Sequence, residues 1–239
     1  MIFHAVLPRS PEWKQLRLGI ATSSEFSDII TPKKLEYSKS AEKLMYIKLA
    51  EWMTGQPTEN SEYESQWMAR GVELEDNAIA AYEMLTERET SLGGFFTTDD
   101  GLLGCSPDRL IGDAGDLEIK CPLIHSQIGY ALGSPVDEAY MLQLQGRMMI
   151  HGRMWIDIFS YHPKLLLPPV RVNRDEKIIN IMRERLAQFN QTMLQCRLVL
   201  EQRFGPFVRP EPEPEPDFRD AVTDADVEAI LAAQRRGEL

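Results

Sequence analysis

The chain has 239 residues, a formal net charge of −11, 43% hydrophobic and 26% charged residues, the balance of a globular protein able to bury a real core. That acidity speaks against a protein that coats nucleic acid non-specifically. No apolar run reaches the length of a bilayer span, and the N-terminus lacks the charged start and cleavage site of a signal peptide, so a cytoplasmic location is expected.

In chain order, Ser10-Pro11-Glu12-Trp13 reads as an N-cap with proline at the first helical position, and Gly19 closes that short helix. Thr22-Ser23-Ser24-Glu25 is a capping-box pattern opening a second short helix, which Thr31-Pro32 ends. A third helix runs from Ser40 to Thr54 and stops at Gly55. From Gln66 to Thr86, the stripe Met68, Val72, Ile79, Tyr82 follows helical spacing. Gly93–Cys121 changes to short apolar runs and Gly-Asp turns, the pattern of a hairpin or meander. Pro135 to His151 reads as helix, Met154 to Tyr161 and Pro169 to Asn173 as strands, and Asp175 to Phe204 as a long helix. Beyond it, Pro210–Pro216 is a Pro-Glu repeat, a semi-rigid linker, before a short helix opened by Thr223-Asp224. The expected organisation is α/β, a mixed sheet flanked by helices over residues 1–205, followed by a linker and short C-terminal helix over 206–239.

Three cysteines without a CxxC pair and four scattered histidines exclude a closed disulfide framework and a thiolate zinc site. Any metal should be a hard cation on carboxylates. The candidate ligands lie where Gly112–Gly115 provides turn chemistry between Leu103–Ile111 and Asp116–Cys121, which can pair as antiparallel strands. On the second strand, Leu117, Ile119 and Cys121 share one face while Glu118 and Lys120 share the other, and Asp108 can reach the same place. Two carboxylates beside an ammonium suit a divalent cation such as Mg²⁺. Lys120 could then orient or deprotonate water, or stabilise charge on a phosphate. A salt-bridge ladder on a solvated strand face gives the same pattern.

Glu75 lies on the apolar stripe of the Gln66–Thr86 helix, where a carboxylate is costly unless paired or metal-bound. Ser24 sits in the first turn after Thr22, with free backbone N–H groups, and Arg17 lies across the Gly19 break. Together they could grip an anion; a first-turn serine and a surface charge are the plainer reading. Gln143 and Gln145 stand on an otherwise apolar helix, where they position water or make structural hydrogen bonds.

Five ordered blocks resemble the bacteriophage lambda exonuclease family of alkaline exonucleases, related to the YqaJ-like viral recombinases. The blocks are Trp13–Ile20 with Ser24-Glu25, Arg70-Gly71 through Glu75, Cys105–Asp108, Leu117–Pro122, and Tyr140 through Gln145. The likeness runs from about Trp13 to Phe204. It implies a restriction-endonuclease-like PD-(D/E)xK core and a two-metal 5′→3′ exonuclease acting on double-stranded DNA ends. Asp108, Glu118 and the backbone carbonyl of Ile119 would bind Mg²⁺, with Mn²⁺ able to substitute. Lys120 would be the catalytic lysine, with Glu75 and Gln143 supporting the centre. Arg17, Ser24 and Ser106 would hold the 5′-phosphate. The product would be 3′ single-stranded DNA for recombination. The implied partners are two further copies in a ring-shaped trimer and a single-strand annealing protein, with no membrane. A ring also accommodates the acidity, since basic residues can line its bore. Arg109 departs from the glycine of the lambda enzyme, and the Pro-Glu extension lies outside the likeness. The alternatives are a structure-specific or restriction-type endonuclease with the same metal core and a non-catalytic DNA-binding subunit.

Overall fold

The computed structural model describes residues 1–58, 66–134 and 138–207, all within one compact unit, Met1–Arg209. The expected Pro-Glu linker and terminal helix, and the start of the helix expected from Pro135, lie outside the described residues.

Strand β1 (Ile2–His4) precedes helix α1 (Pro11–Arg17), whose first turn is fastened by Ser10 Oγ accepting from Trp13 N–H at 3.2 Å. After β2 (Ala21–Thr22), a 3-10 turn (Ser23–Glu25) leads into the single turn α2 (Phe26–Ile29). Helices α3 (Ala41–Thr54) and α4 (Gln66–Thr86) follow. The central region holds β3 (Ser91–Leu92), β4 (Phe95–Thr97), β5 (Leu103–Cys105), β6 (Arg109–Ile111) and β7 (Gly115–Lys120). Next come α5 (Ile124–Ala131), α6 (Glu138–His151), β8 (Trp155–Ser160), β9 (Val170–Asn173) and the long α7 (Glu176–Phe204). Asp175 caps α7 by accepting from Lys177 and Ile178 N–H groups, as its sequence position predicts. β1 and α5 have no counterpart in the sequence reading: β1 is short and largely exposed, and α5 carries no acidic first turn or side-chain cap.

The strands form two sheets, ordered β1-β4-β5-β2 and β3-β6-β7-β8-β9. Here the continuous strand expected over Leu103–Ile111 breaks. β5 pairs with β4 in the first sheet, while β6 pairs with β7 in the second, Arg109 opposite Leu117. Ser106-Pro107-Asp108 carries the chain between sheets. Pro107 has no N–H for a ladder, and the Ser106 hydroxyl instead donates to Gly94 C=O at 2.8 Å. Gly93 admits this crossing, since a Cβ there would lie 1.8 Å from the Pro107 carbonyl oxygen.

β7 and β8 run parallel, joined through α5 and α6. Helix α4 covers one face of the five-stranded sheet, packing Ala78 and Tyr82 on Ile111, Leu117 and Phe159. Helix α6 covers the other through Leu144 and Met148 on Ile156. Another side of α6 (Leu142, Ile150) joins the largest core, with Phe26 and Ile29 of α2, Leu44 and Leu49 of α3, and Met182, Leu186 and Phe189 of α7. Among the described side chains of α4, Ala78 and Tyr82 are buried, with Leu74 and Ala81 packed beside them. Of the stripe read off the sequence, Tyr82 is buried and Ile79 lies only half-buried on the flank, while the side chains of Met68 and Val72 lie outside those described.

Candidate active site

The pleat of β7 sends Leu117 and Ile119 into the α4 core and turns Asp116, Glu118 and Lys120 toward α6. Helix α6 answers with Tyr140, Gln143, Arg147 and His151, three to four residues apart and hence on one side. The two columns interlock. Lys120 Nζ lies 4.7 Å from the Tyr140 ring centroid and 2.5 Å from Glu118 Oε1. Gln143 Nε2 donates to the same oxygen at 3.3 Å. Arg147, with no exposed surface, donates from Nη1 to Glu118 Oε2 and from Nη2 to Asp116 Oδ1 at 2.7 Å. His151 Nε2 meets Asp116 Oδ2 at 2.6 Å. Its Nδ1 accepts from Arg153 N–H at 3.1 Å, which places the proton of the neutral ring on Nε2. Burial holds the His151 pKa below its usual value against the pull of Asp116, so the neutral ring donates to that carboxylate.

Asp108 enters from the other side of β7. Its Oδ2 accepts from Ile119 N–H at 2.7 Å, beyond the last β6–β7 pair. N–H and C=O of one strand residue point the same way, so the Ile119 carbonyl faces this open edge too. Burial and the nearby Glu118 push the Asp108 pKa up to about 7. Glu118 moves the opposite way: burial disfavours its charge, but Arg147 and Lys120 overcome this and hold it ionised. Burial likewise disfavours the Lys120 charge, while Glu118 and Asp108 raise its pKa, so its amine keeps its proton. Asp108, Glu118, Lys120 and Gln143 thus converge on one strand edge. The acceptors there are all oxygens, and the repulsion between the two carboxylates is of the kind a hard divalent cation relieves. The donor set fits such an ion.

A second cluster lies along the turn after α1. Arg17 Nη2 donates to Thr22 Oγ1 at 3.3 Å, and Thr22 Oγ1 is 3.1 Å from Ser24 Oγ. The Arg17 guanidinium covers the Trp13 ring at 4.4 Å, and Trp13 Nε1 donates to Ser106 Oγ at 2.9 Å. Arg17, Ser24 and Ser106 are thereby tied into one network, and Ser106 stands two residues before Asp108.

Glu75 is placed differently. On α4 it pairs with Arg9 at 2.9 Å. Among the described residues no three His, Cys, Asp or Glu side chains gather as a metal cluster, so Glu75 does not join Asp108 and Glu118 here. Gln145 is structural: its Nε2 donates to Asn173 C=O and its Oε1 accepts from Asp175 N–H, both at 2.9 Å.

Sequence reasoning missed Asp116, Arg147, His151, Tyr140 and Trp13. A signal existed for four of them. Tyr140, Gln143, Arg147 and His151 form a polar stripe on an apolar helix, and Asp116 continues the alternation of Glu118 and Lys120.

Residues 12–154 match the model of the YqaJ-like viral recombinase domain. The alkaline exonuclease LHK-Exo from Laribacter hongkongensis superposes with a TM-score of 0.71 at 30% identity, over 81% of this chain and 97% of that one. The same enzyme in complex with dAMP gives the same values. A phage-related exonuclease from Haemophilus somnus 129PT shares the fold, at a TM-score of 0.55 and 15% identity over 76% of this chain and 96% of that one. A search of curated proteins returned no match. The match covers more than half of the sequence and the fold is that of an alkaline exonuclease: the chain belongs to the YqaJ-like viral recombinase domain family.

Proposed function

We propose that this protein is a metal-dependent exonuclease that digests one strand of double-stranded DNA from a 5′-phosphorylated end, leaving 3′ single strands for recombination by annealing. The observation that carries the reading is the meeting of Asp108, Glu118 and Lys120 at one strand edge, with Asp108 driven to about 7 by burial and then by Glu118.

Asp108, Glu118 and the Ile119 carbonyl would hold Mg²⁺. When bound, such an ion supplies Lewis acidity at a phosphodiester oxygen. Arg147 keeps Glu118 ionised and holds one of its oxygens, while the other meets Lys120 and Gln143 at the site. Lys120 stays cationic in this setting, which favours stabilising negative charge on the reacting phosphate over taking a proton from water. Gln143 steadies Glu118 from α6. A second ion would require Glu75 to leave Arg9.

Arg17, Ser24 and Ser106 would take the terminal 5′-phosphate. Arg17 is half-buried beside neutral Thr22, and a phosphate offers it a bidentate anionic partner. A pocket for a strand end favours an exonuclease over an endonuclease sharing the same carboxylates. A closed trimeric ring and an annealing partner complete the proposal; solution mass tests the first.

The deciding experiment uses linear duplex DNA phosphorylated at one 5′ end, at mildly alkaline pH, with Mg²⁺ or EDTA. Mg²⁺-dependent release of nucleotides from the phosphorylated strand is expected. Digestion indifferent to end chemistry keeps the nuclease and removes the phosphate pocket, cutting of closed circles favours the endonuclease, and inert folded protein favours the DNA-binding subunit.

A further inference from the structure

Behind the Arg17–Ser24 turn lies a buried charge network that the chemistry above does not use. Lys48 on α3 is 4% exposed and bridges two carboxylates, Glu25 Oε1 at 2.8 Å and Glu51 Oε2 at 3.1 Å. Each carboxylate holds one side of the turn. Glu51 Oε2 accepts from Gly19 N–H at 3.1 Å. Glu25 Oε2 accepts from Thr22 N–H at 2.9 Å and from the Thr22 hydroxyl at 2.8 Å. With its proton committed to Glu25, Thr22 Oγ1 presents lone pairs to Arg17 and Ser24. Gly19 is gripped from behind as well. Its carbonyl accepts from Arg197 Nη2 of α7 at 2.5 Å, its φ is +73°, and a Cβ would meet Trp52 Cβ at 2.8 Å.

We propose that Lys48 is a positioning residue for recognition of a terminal phosphate: by occupying Glu25 and Glu51 it leaves the guanidinium of Arg17 available to the DNA end. The inference rests on the 5′-phosphate pocket proposed above. A buried carboxylate, Glu51, beside a half-buried one, Glu25, needs a cation, and Arg17 already feels both. With Lys48 absent, Arg17, on the same turn and already under the influence of both carboxylates, is available to replace it. It turns inward to pair with them, and its hold on a phosphate is lost. Lys48 touches neither DNA nor the Asp108–Glu118 edge in this scheme, so its effect falls on end discrimination.

The test measures kcat/KM on 5′-phosphoryl and 5′-hydroxyl duplex ends with one enzyme preparation, and takes their ratio. In Lys48→Met the ratio is expected to fall by about tenfold or more, roughly 1.4 kcal/mol of discrimination. Lys48→Arg, which keeps the charge, should hold it within about threefold of wild type. Should Lys48→Met fail to fold, Lys48→Met/Glu51→Gln removes one unpaired carboxylate and leaves Glu25 to capture Arg17, with the same expected loss. A wild-type preference that survives in the folded Met variant overturns the role of Lys48 and leaves the pocket standing. A wild type indifferent to end chemistry overturns the pocket, and the inference with it.

Discussion

Two aspartates beside the five-stranded sheet, Asp157 on one face and Asp108 at an edge, are treated in opposite ways. On the α4 face, Asp157 receives four donors: Tyr82 OH at 2.8 Å, Arg171 Nε and Nη2 at 2.8 Å each, and Arg88 Nη1 at 3.1 Å. Burial disfavours its charge, yet Arg171 and Tyr82 more than compensate, and its pKa falls below the usual carboxylate value. Tyr82 is pushed up to about 12, by burial first and by that same hydrogen bond to Asp157. The arginines stack on Trp155, at 3.5 Å for Arg171 and 5.4 Å for Arg88, and the cluster closes on itself. On the edge near α6, Asp108 has one backbone donor and a neighbouring carboxylate. A surplus of donors makes a structural aspartate; a surplus of acceptors leaves a site that needs a cation. Both contain aspartate, arginine and aromatic side chains, so residue type alone does not tell them apart.

The sharpest break in the comparison is Lys120→Ala, which removes the only cation that is both partly exposed and in contact with Glu118 among the described residues. Cleavage of linear duplex should fall by about a thousandfold or more, roughly 4 kcal/mol of barrier, while gel-shift affinity for DNA is retained. Turnover equal to wild type would remove Lys120 from the mechanism. Asp157→Ala should do the reverse. Leaving two arginines without their partner should lower stability by about 2–3 kcal/mol in a urea titration, a figure discounted because both guanidinium groups are partly exposed. Activity per folded molecule should hold. A variant that is as stable as wild type but inactive would show that the α4 face belongs to the site.

The smallest effect is read in pH. Asp108 has a folded pKa near 7, above its unfolded value near 4, so the folded state holds its proton longer. Its contribution to stability is full below about pH 4 and is lost as pH rises toward 7. Asp157, with a lowered folded pKa, contributes in the opposite sense: its stabilisation is present above the ordinary carboxylate range and is lost as pH falls through it. Thermal melts of Asp108→Asn between pH 5 and 7, without divalent ions, should lack the falling slope of wild type. Mg²⁺ should raise Tm more at pH 8 than at pH 6 in wild type, because ion and proton compete for Asp108. An equal Mg²⁺ shift in Asp108→Asn would move the ion away from this carboxylate.

Much of this was legible in the chain because it is local. The caps at Ser10 and Asp175 and the Gly112–Gly115 turn depend on neighbours within four residues. The alternation Asp116, Glu118, Lys120 follows from the pleat alone. The blocks that carry the family likeness are also short stretches, which is why Asp108, Glu118 and Lys120 could be proposed together. Other features depend on partners far away in sequence. Leu103–Cys105 reads as a continuation of β6, but Gly93 and Gly94 capture the Ser106–Pro107 crossing and send β5 to the other sheet. Glu75 reads as a core-facing carboxylate, yet the helix is turned so that Leu74 and Ala78 face inward and Glu75 meets Arg9, 66 residues earlier. Arg147, 29 residues beyond Glu118, is what keeps that glutamate charged. The sequence by itself determined which side chains are available and which neighbours share a face, since those follow from backbone period. Only the tertiary structure decided which carboxylate is saturated with donors and which is left short, because burial and long-range pairing, not residue type, set the cost of a charge.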